Sequence, residues 1–315
     1  MSATATAAGA FKIGGDLQVT RLGYGAMRIT GPGYWGEPKD REGAKSVLRH
    51  AVSLGVDFID TADTYGPEVS ERLIAEALHP YPEGLVIATK GGQWRSGPYH
   101  FHPDGRPDSL RRACEGSLKR LRLERLDLYQ LHAVDPTVPF EETVGALGEL
   151  RAEGKVRHVG LCNVGVERLA QARSIVPIVS VQNRYNLADR SGEAVVRACE
   201  REGLAFIPWF PLGRGDLAVR RSGLNRVAAR HGATPAQVAL AWLLQSSPVT
   251  LPIPGTTSLR HLEENVAALE LRLSDEELED LSAYELAGLG ALRRRVRDKL
   301  RPILVPLAGR LLARG

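Results

Sequence analysis

Short apolar runs alternate with longer amphipathic ones along almost the whole chain, and this alternation constrains the fold more than any other feature. The extended runs are Arg21–Ala26, Phe58–Asp60, Leu85–Thr89, Leu126–Leu131, Val156–Cys162, Ile178–Gln182, Leu204–Trp209 and Val249–Ile253. Each is followed by residues at helical spacing. These are Ala44–Leu54, Val69–Leu78, Ser109–Leu121, Phe140–Glu153, Val166–Ser174, Ser191–Glu202, the pair Gly223–His231 and Pro235–Gln245, and Leu259–Leu269. Apolar strands separated by helices predict an α/β chain with a parallel sheet covered by helices. Eight such units within 315 residues predict a closed (β/α)8 TIM barrel rather than an open sheet.

Two further elements complete the expected architecture. Phe11–Thr20 carries Gly14-Gly15-Asp16 between apolar stretches and reads as an N-terminal β-hairpin ahead of the first barrel strand. Ser274-Asp275-Glu276-Glu277 is a capping box that opens an extra C-terminal helix, and Thr234-Pro235-Ala236-Gln237 caps another helix. Residues 1–285 are expected to form one barrel domain, with 286–315 as a basic amphipathic tail. That tail has eight basic residues and one acid, more than the net +4 of the whole chain, so residues 1–285 are net acidic by three charges. An acidic body gives no reason to invoke nucleic acid. In the tail, the spacing of Leu289, Leu292, Val296 and Leu300 would set them on one face of a helix, with arginines around it. A solvated tail is expected, with contact to an anionic membrane as the alternative.

Three cysteines (Cys114, Cys162, Cys199) without a C-x-x-C pair argue against a disulfide framework and for a reducing compartment. No run reaches the roughly 18 apolar residues of a spanning helix, and Met1–Ala10 lacks the pattern of a secretory signal. A cytoplasmic protein is expected, as a monomer or weak oligomer.

In a barrel of this kind, chemistry gathers at the carboxyl ends of the strands. The second strand ends in Asp60, followed by Thr61-Ala62-Asp63-Thr64-Tyr65-Gly66; the third ends in Lys90 and the fourth in His132. An acid, a phenol, an ammonium and an imidazole therefore meet at one mouth. A free tyrosine has a pKa near 10 and is a poor acid–base group at neutral pH, but a nearby ammonium stabilises the phenolate and lowers that pKa. A carboxylate beside the lysine keeps it charged, and an imidazole can orient a carbonyl oxygen. The set suits donation of a proton to a carbonyl that receives a hydride.

This pattern resembles the aldo-keto reductases over nearly all of residues 11–285. Phe58-Ile59-Asp60-Thr61-Ala62 followed by Tyr65-Gly66 is similar to the family's motif. The resemblance implies that Tyr65 is the general acid/base, that Lys90 and Asp60 tune it, and that His132 orients the carbonyl. It implies NADPH as cofactor, with Asn163 and Gln182 on the nicotinamide amide and Trp209 of Trp209-Phe210-Pro211-Leu212-Gly213 stacked on its ring. Leu212 belongs to the same cofactor stretch. Ile253-Pro254-Gly255-Thr256, Arg260, His261 and Glu263-Glu264-Asn265 resemble the adenosine-phosphate site, where amides at a helix start meet phosphate. Four positions depart from the pattern. Cys162 and Phe210 stand where serines are usual, Gly255 where some members carry a lysine, and His261 where others carry an arginine.

Leu22-Gly23-Tyr24-Gly25-Ala26-Met27-Arg28 and Gly31-Pro32-Gly33-Tyr34-Trp35-Gly36-Glu37-Pro38 are similar to the pyridoxal reductase branch, which implies reduction of pyridoxal to pyridoxine. The second stretch spells G-x-G-x-x-G, but Pro32 lies inside it and Glu37-Pro38 follows where a helix should open, so no Rossmann site is expected. It reads as a loop at the barrel mouth with Trp35 against the substrate. Gly91–Pro107 reads as a polar lid with Trp94 lining the substrate pocket. The spacing of its His100, His102 and Asp104 suits no common zinc site, and no metal is expected. The expected partner is a small carbonyl compound. A general small-aldehyde reductase, a nicotinamide-sensing regulatory subunit and an isomerase on the same barrel are the alternatives.

Overall fold

The computed structural model describes residues 4–5, 9–213 and 222–283. The expected tail, 286–315, lies outside the described residues, and so does the membrane contact considered for it.

The elements follow the expected alternation closely. Strands β1 (Ala10–Ile13) and β2 (Leu17–Thr20) form the antiparallel hairpin, with Ile13 opposite Leu17. Then come β3 (Tyr24–Gly25), α1 (Arg41–Ser53), β4 (Phe58–Asp60), α2 (Val69–Leu78) and β5 (Val86–Gly91). Gly91–Pro107, expected as a polar lid, contains regular structure. Its residues pair as an antiparallel hairpin, β6 (Gln93–Gly97) with β7 (His100–Pro103), before α3 (Pro107–Leu121). The barrel continues with β8 (Leu126–Leu131), α4 (Phe140–Ala152), β9 (Val156–Cys162), α5 (Val166–Arg173), β10 (Ile178–Gln182), α6 (Glu193–Glu202) and β11 (Ala205–Phe206). Helices α7 (Ser222–Arg230), α8 (Pro235–Ser246) and α9 (Leu259–Ala267) follow. Residues 275–283 form the extra helix, α10. Its capping box is present: Glu277 N–H donates to Ser274 Oγ, and Ser274 N–H donates to Glu277 Oε2.

Seven parallel strands form one sheet in the order β3-β4-β5-β8-β9-β10-β11. The eighth expected strand, Val249–Ile253, closes it as an extended segment with sparse pairing. Phe206 bridges Thr250 in parallel, and Gly23 N–H donates to the carbonyl of Pro252 at 3.0 Å.

Strand alternation sorts the side chains. Phe58, Val86, Ala88, Leu128, Ala205, Ile207, Leu251 and Ile253 form an inner apolar cluster, which Ile13, Leu17 and Val19 of the N-terminal hairpin cap from below. Asp16 of that hairpin bonds Arg157 and His158 at the start of β9, which places the hairpin at the amino ends of the strands. The residues that follow in register on β4, β5 and β8 are Asp60, Lys90 and Gln130. The barrel is therefore dry at its base and polar at its carboxyl end. On β10 a register shift between Ile178 and Ser180 resets the alternation. Val179 thus joins the inner apolar cluster, while Ser180 and Gln182 still bond Gln130.

Candidate active site

Asp60 ends β4, and the chain then turns so that Tyr65 comes back over the strand ends. Gly66 makes that turn at φ +97°, where a Cβ would lie 2.4 Å from Val69. Lys90 Nζ donates to Asp60 Oδ2 at 2.7 Å, to the Thr61 carbonyl at 2.8 Å and to Tyr65 Oη at 3.4 Å. Gln182 Nε2 donates to the other Asp60 oxygen at 2.7 Å, so the carboxylate has a partner on each oxygen. His132, held by its N–H to the Gly91 carbonyl, packs edge-on against the Tyr65 ring at 5.9 Å. The structure thus brings Tyr65, Lys90, Asp60 and His132 into one contact group, with Asp60 and Lys90 almost wholly buried.

Burial opposes the Lys90 ammonium, but the Asp60 carboxylate outweighs it and holds Lys90 above its usual range. His132 is held well below the imidazole range, first by burial and then by Lys90 and Arg95. Tyr65 differs from the sequence expectation. Burial pushes its phenol up to about 12, and the opposing pull of Lys90 does not reverse this. Desolvation penalises the phenolate more than one ammonium, itself neutralised by Asp60, can recover. Tyr65 is therefore a neutral O–H donor at neutral pH.

Asn163 sits at φ +58°, a backbone state that asparagine tolerates. It donates from Nδ2 to the His132 carbonyl at 3.1 Å and accepts at Oδ1 from Trp209 Nε1 at 2.9 Å. One amide thus ties His132 to Trp209.

All of this opens onto a cavity of about 1010 Å³. Tyr65, His132 and Cys162 line it beside Asn163, Gln182, Trp209 and Leu212; Gly255, Thr256, His261, Glu264 and Asn265 line its far part. Arg260 is exposed on α9, its guanidinium bonded to Glu264 and beside His261. Neither expected substrate tryptophan is among the lining residues. Trp94 is half exposed and stacked on His102, and Trp35 lies against Arg95. Tyr34, Gln93, Tyr99 and Phe101 line the wall instead. For Trp94 the difference follows from the β6–β7 pairing, which alternates side chains across the hairpin and sets Trp94 opposite His102; that pairing was not legible in the sequence. Reasoning from motifs also missed Thr64, whose Oγ1 lies 3.3 Å from His132 Nδ1, and Gln130, which accepts from Gln182. Thr64 stands one residue before Tyr65, and that adjacency was an available signal.

Two glycines let the barrel close beside this cavity. A Cβ on Gly255 would lie 2.4 Å from the Gly25 carbonyl oxygen, and one on Gly25 would lie 2.6 Å from the Ile253 carbonyl oxygen. Both clashes are with backbone, which cannot swing aside. Gly255→Ala is expected to cost about 1–3 kcal/mol. Gly145→Ala, inside α4 with open space around it, is expected to gain about 0.5–1 kcal/mol. Urea unfolding of the two variants checks the pair; equal effects would refute the packing argument.

A family model for the aldo/keto reductases matches residues 21–285. The chain belongs to the aldo/keto reductase family. It is 47% identical over 273 residues to the pyridoxine 4-dehydrogenase of Escherichia coli, covering 85% of this chain and 95% of that one. It is 49% identical over 272 residues to an uncharacterised oxidoreductase of Schizosaccharomyces pombe, covering 86% and 88%. A crystal structure of an aldo-keto reductase from Klebsiella pneumoniae in complex with NADPH superimposes with a TM-score of 0.75 at 29% identity, covering 90% of this chain and 96% of that one. A thermostable aldo-keto reductase superimposes with a TM-score of 0.77 at 32% identity, covering 87% and 99%. The protein is thus an aldo-keto reductase, an oxidoreductase acting on carbonyls.

Proposed function

We propose that this aldo-keto reductase uses NADPH to reduce aldehydes, with pyridoxal, reduced to pyridoxine, as its first substrate. The observation that carries the reading is the placement of the Tyr65–Lys90–Asp60 group against one long cavity that reaches α9. A dinucleotide suits the residues along that cavity. The first amides of α9 would receive its diphosphate: Ser258 takes the N–H of His261, and the preceding amides have no partner within the helix. Asn163, Gln182 and Trp209 would hold the nicotinamide end, and Thr256, His261, Glu264 and Asn265 the adenosine end. When bound, NADPH supplies a hydride for the carbonyl carbon.

This chain's residues supply the rest. Tyr65 Oη–H gives its proton to the carbonyl oxygen. The Lys90 ammonium, 3.4 Å away, stabilises the phenolate left behind. Asp60 keeps Lys90 charged and fixed. His132, neutral, offers a hydrogen bond that turns the carbonyl oxygen toward Tyr65. Identity to pyridoxine 4-dehydrogenase and the Leu22–Arg28 and Gly31–Pro38 stretches support pyridoxal. The three buried, unpaired cysteines fit a cytoplasmic setting.

Oxidation of NADPH is followed with pyridoxal and with a simple aromatic aldehyde, NADH serving as the control. Preference for pyridoxal with NADPH is expected. Turnover of the simple aldehyde alone would discard pyridoxal and leave a general aldehyde reductase. The pH dependence has a definite sign. The acid form of Tyr65 is filled at every pH well below about 12, and His132 is neutral throughout. Reduction is therefore flat from pH 6 to 9, whereas alcohol oxidation, which needs the phenolate, climbs with pH over the same interval. A fall in reduction with a midpoint near pH 7 would contradict a neutral, high-pKa phenol.

A further inference from the structure

We infer that Arg95 is a positioning residue for carbonyl reduction: it locks three mouth loops into the aromatic wall that receives a ring-bearing substrate, and so sets a preference for aromatic over small aliphatic aldehydes. This rests on the carbonyl reductase activity.

Arg95, on β6, is 8% exposed. Among the described residues no carboxylate pairs with it. A buried cation without a counter-ion is costly unless every donor is met. Here the guanidinium is met by five backbone carbonyls. Nε donates to His100 at 3.2 Å, Nη1 to Tyr34 and Thr64 at 3.0 Å each, and Nη2 to Gly33 at 3.0 Å and Gly97 at 3.1 Å. Its plane also lies 3.8 Å from the Phe101 ring centre. The five acceptors belong to three separate stretches: the 31–36 loop, the turn that carries Tyr65, and the β6–β7 hairpin. A planar fork with fixed donor directions can span them, and a lysine ammonium cannot.

What the fork holds is strained. Tyr34 and Tyr99 have φ of +58° and +62°, a left-handed state uncommon for bulky residues. Their rings meet edge to face at 5.8 Å, and Tyr99 N–H donates to the Gly33 carbonyl at 3.2 Å. The Tyr34 carbonyl accepts from Gly66, which fastens the same loop to the Tyr65 turn. Tyr34, Tyr99 and Phe101 line the cavity, whereas Arg95 stands behind them and acts through them. A planar ring gains from aromatic walls set at a fixed spacing; a two- or three-carbon aldehyde makes few such contacts.

The test uses the full chain, NADPH, 4-nitrobenzaldehyde and propanal, with NADPH affinity read separately by fluorescence. Arg95→Met and Arg95→Lys are expected to lower kcat/KM for 4-nitrobenzaldehyde about 10–100-fold, mainly through KM, and to change that for propanal by less than about threefold. NADPH affinity stays unchanged. Tyr99→Ala, at the exposed rim, reproduces the loss of selectivity and is not additive with Arg95→Lys. Equal losses for both aldehydes, or no loss for the aromatic one, would overturn the proposal. So would loss of NADPH binding in Arg95→Lys, because Arg95 would then serve the whole fold. Failure of the parent protein with pyridoxal alone leaves this test intact, since neither aldehyde is pyridoxal.

Discussion

Tyr65→Phe is expected to lose about 10²–10⁴-fold in turnover while binding NADPH as tightly as the parent protein. The substitution removes one oxygen and leaves the ring packed against His132. Lys90 keeps its bonds to Asp60 and the Thr61 carbonyl, so the buried ion pair is not orphaned. The loss is then confined to the transition state, where the carbonyl oxygen has no proton donor. Single-turnover absorbance of NADPH, with fluorescence titration for affinity, separates the two quantities. Turnover within tenfold of the parent would remove Tyr65 from its role. Loss of NADPH binding would mean that the phenol also builds the cofactor cleft.

Lys90→Met is expected to damage both rate and stability. The ammonium is the charge nearest the phenolate that forms at Tyr65, and removing it should cost about 10²–10³ in turnover. It also leaves the Asp60 carboxylate, with a side chain 2% exposed, without its cation. Breaking such a pair costs about 3–5 kcal/mol. The Asp60→Asn, Lys90→Met double variant removes the stranded charge, and is expected to regain most of the stability and none of the turnover. Urea unfolding and NADPH oxidation read the two effects. A double variant no more stable than Lys90→Met would show that packing around the lysine stem, rather than charge, sets the cost.

The site and the barrel were legible to different depths. Runs such as Leu126–Leu131 and Val156–Cys162 announce themselves because a strand covered on both faces must be apolar throughout. The residues just past those runs stand at the carboxyl ends, so Asp60, Lys90 and His132 could be picked out before any contact was seen. The β6–β7 hairpin could not be. Gln93-Trp94-Arg95-Ser96-Gly97 has no apolar alternation, and its pairing depends on an arginine whose acceptors include Gly33 and Thr64, about 60 and 30 residues earlier in the chain. Hence Trp94 was expected at the cavity, whose lining here includes Tyr34, Tyr99 and Phe101. Val249–Ile253, expected as the eighth strand, makes only a bridge from Phe206 to Thr250 and a bond from Gly23 to Pro252, and this sparse pairing was not visible because it depends on segments far away in the chain.

The sequence by itself determined the order of strands and helices, the family, and which four side chains share the barrel mouth. The order of barrel elements follows from periodicity, and Asp60, Lys90 and His132 from position at a strand end, both local properties; the family follows from the resemblance of Phe58–Ala62 and Tyr65-Gly66 to its motif. Tertiary structure decided the direction of the Tyr65 shift, which side chains line the cavity and which carbonyls meet Arg95. Those depend on how completely water is excluded and on which distant carbonyls come within 3 Å. Desolvation and long-range hydrogen bonding arise only once the barrel has closed.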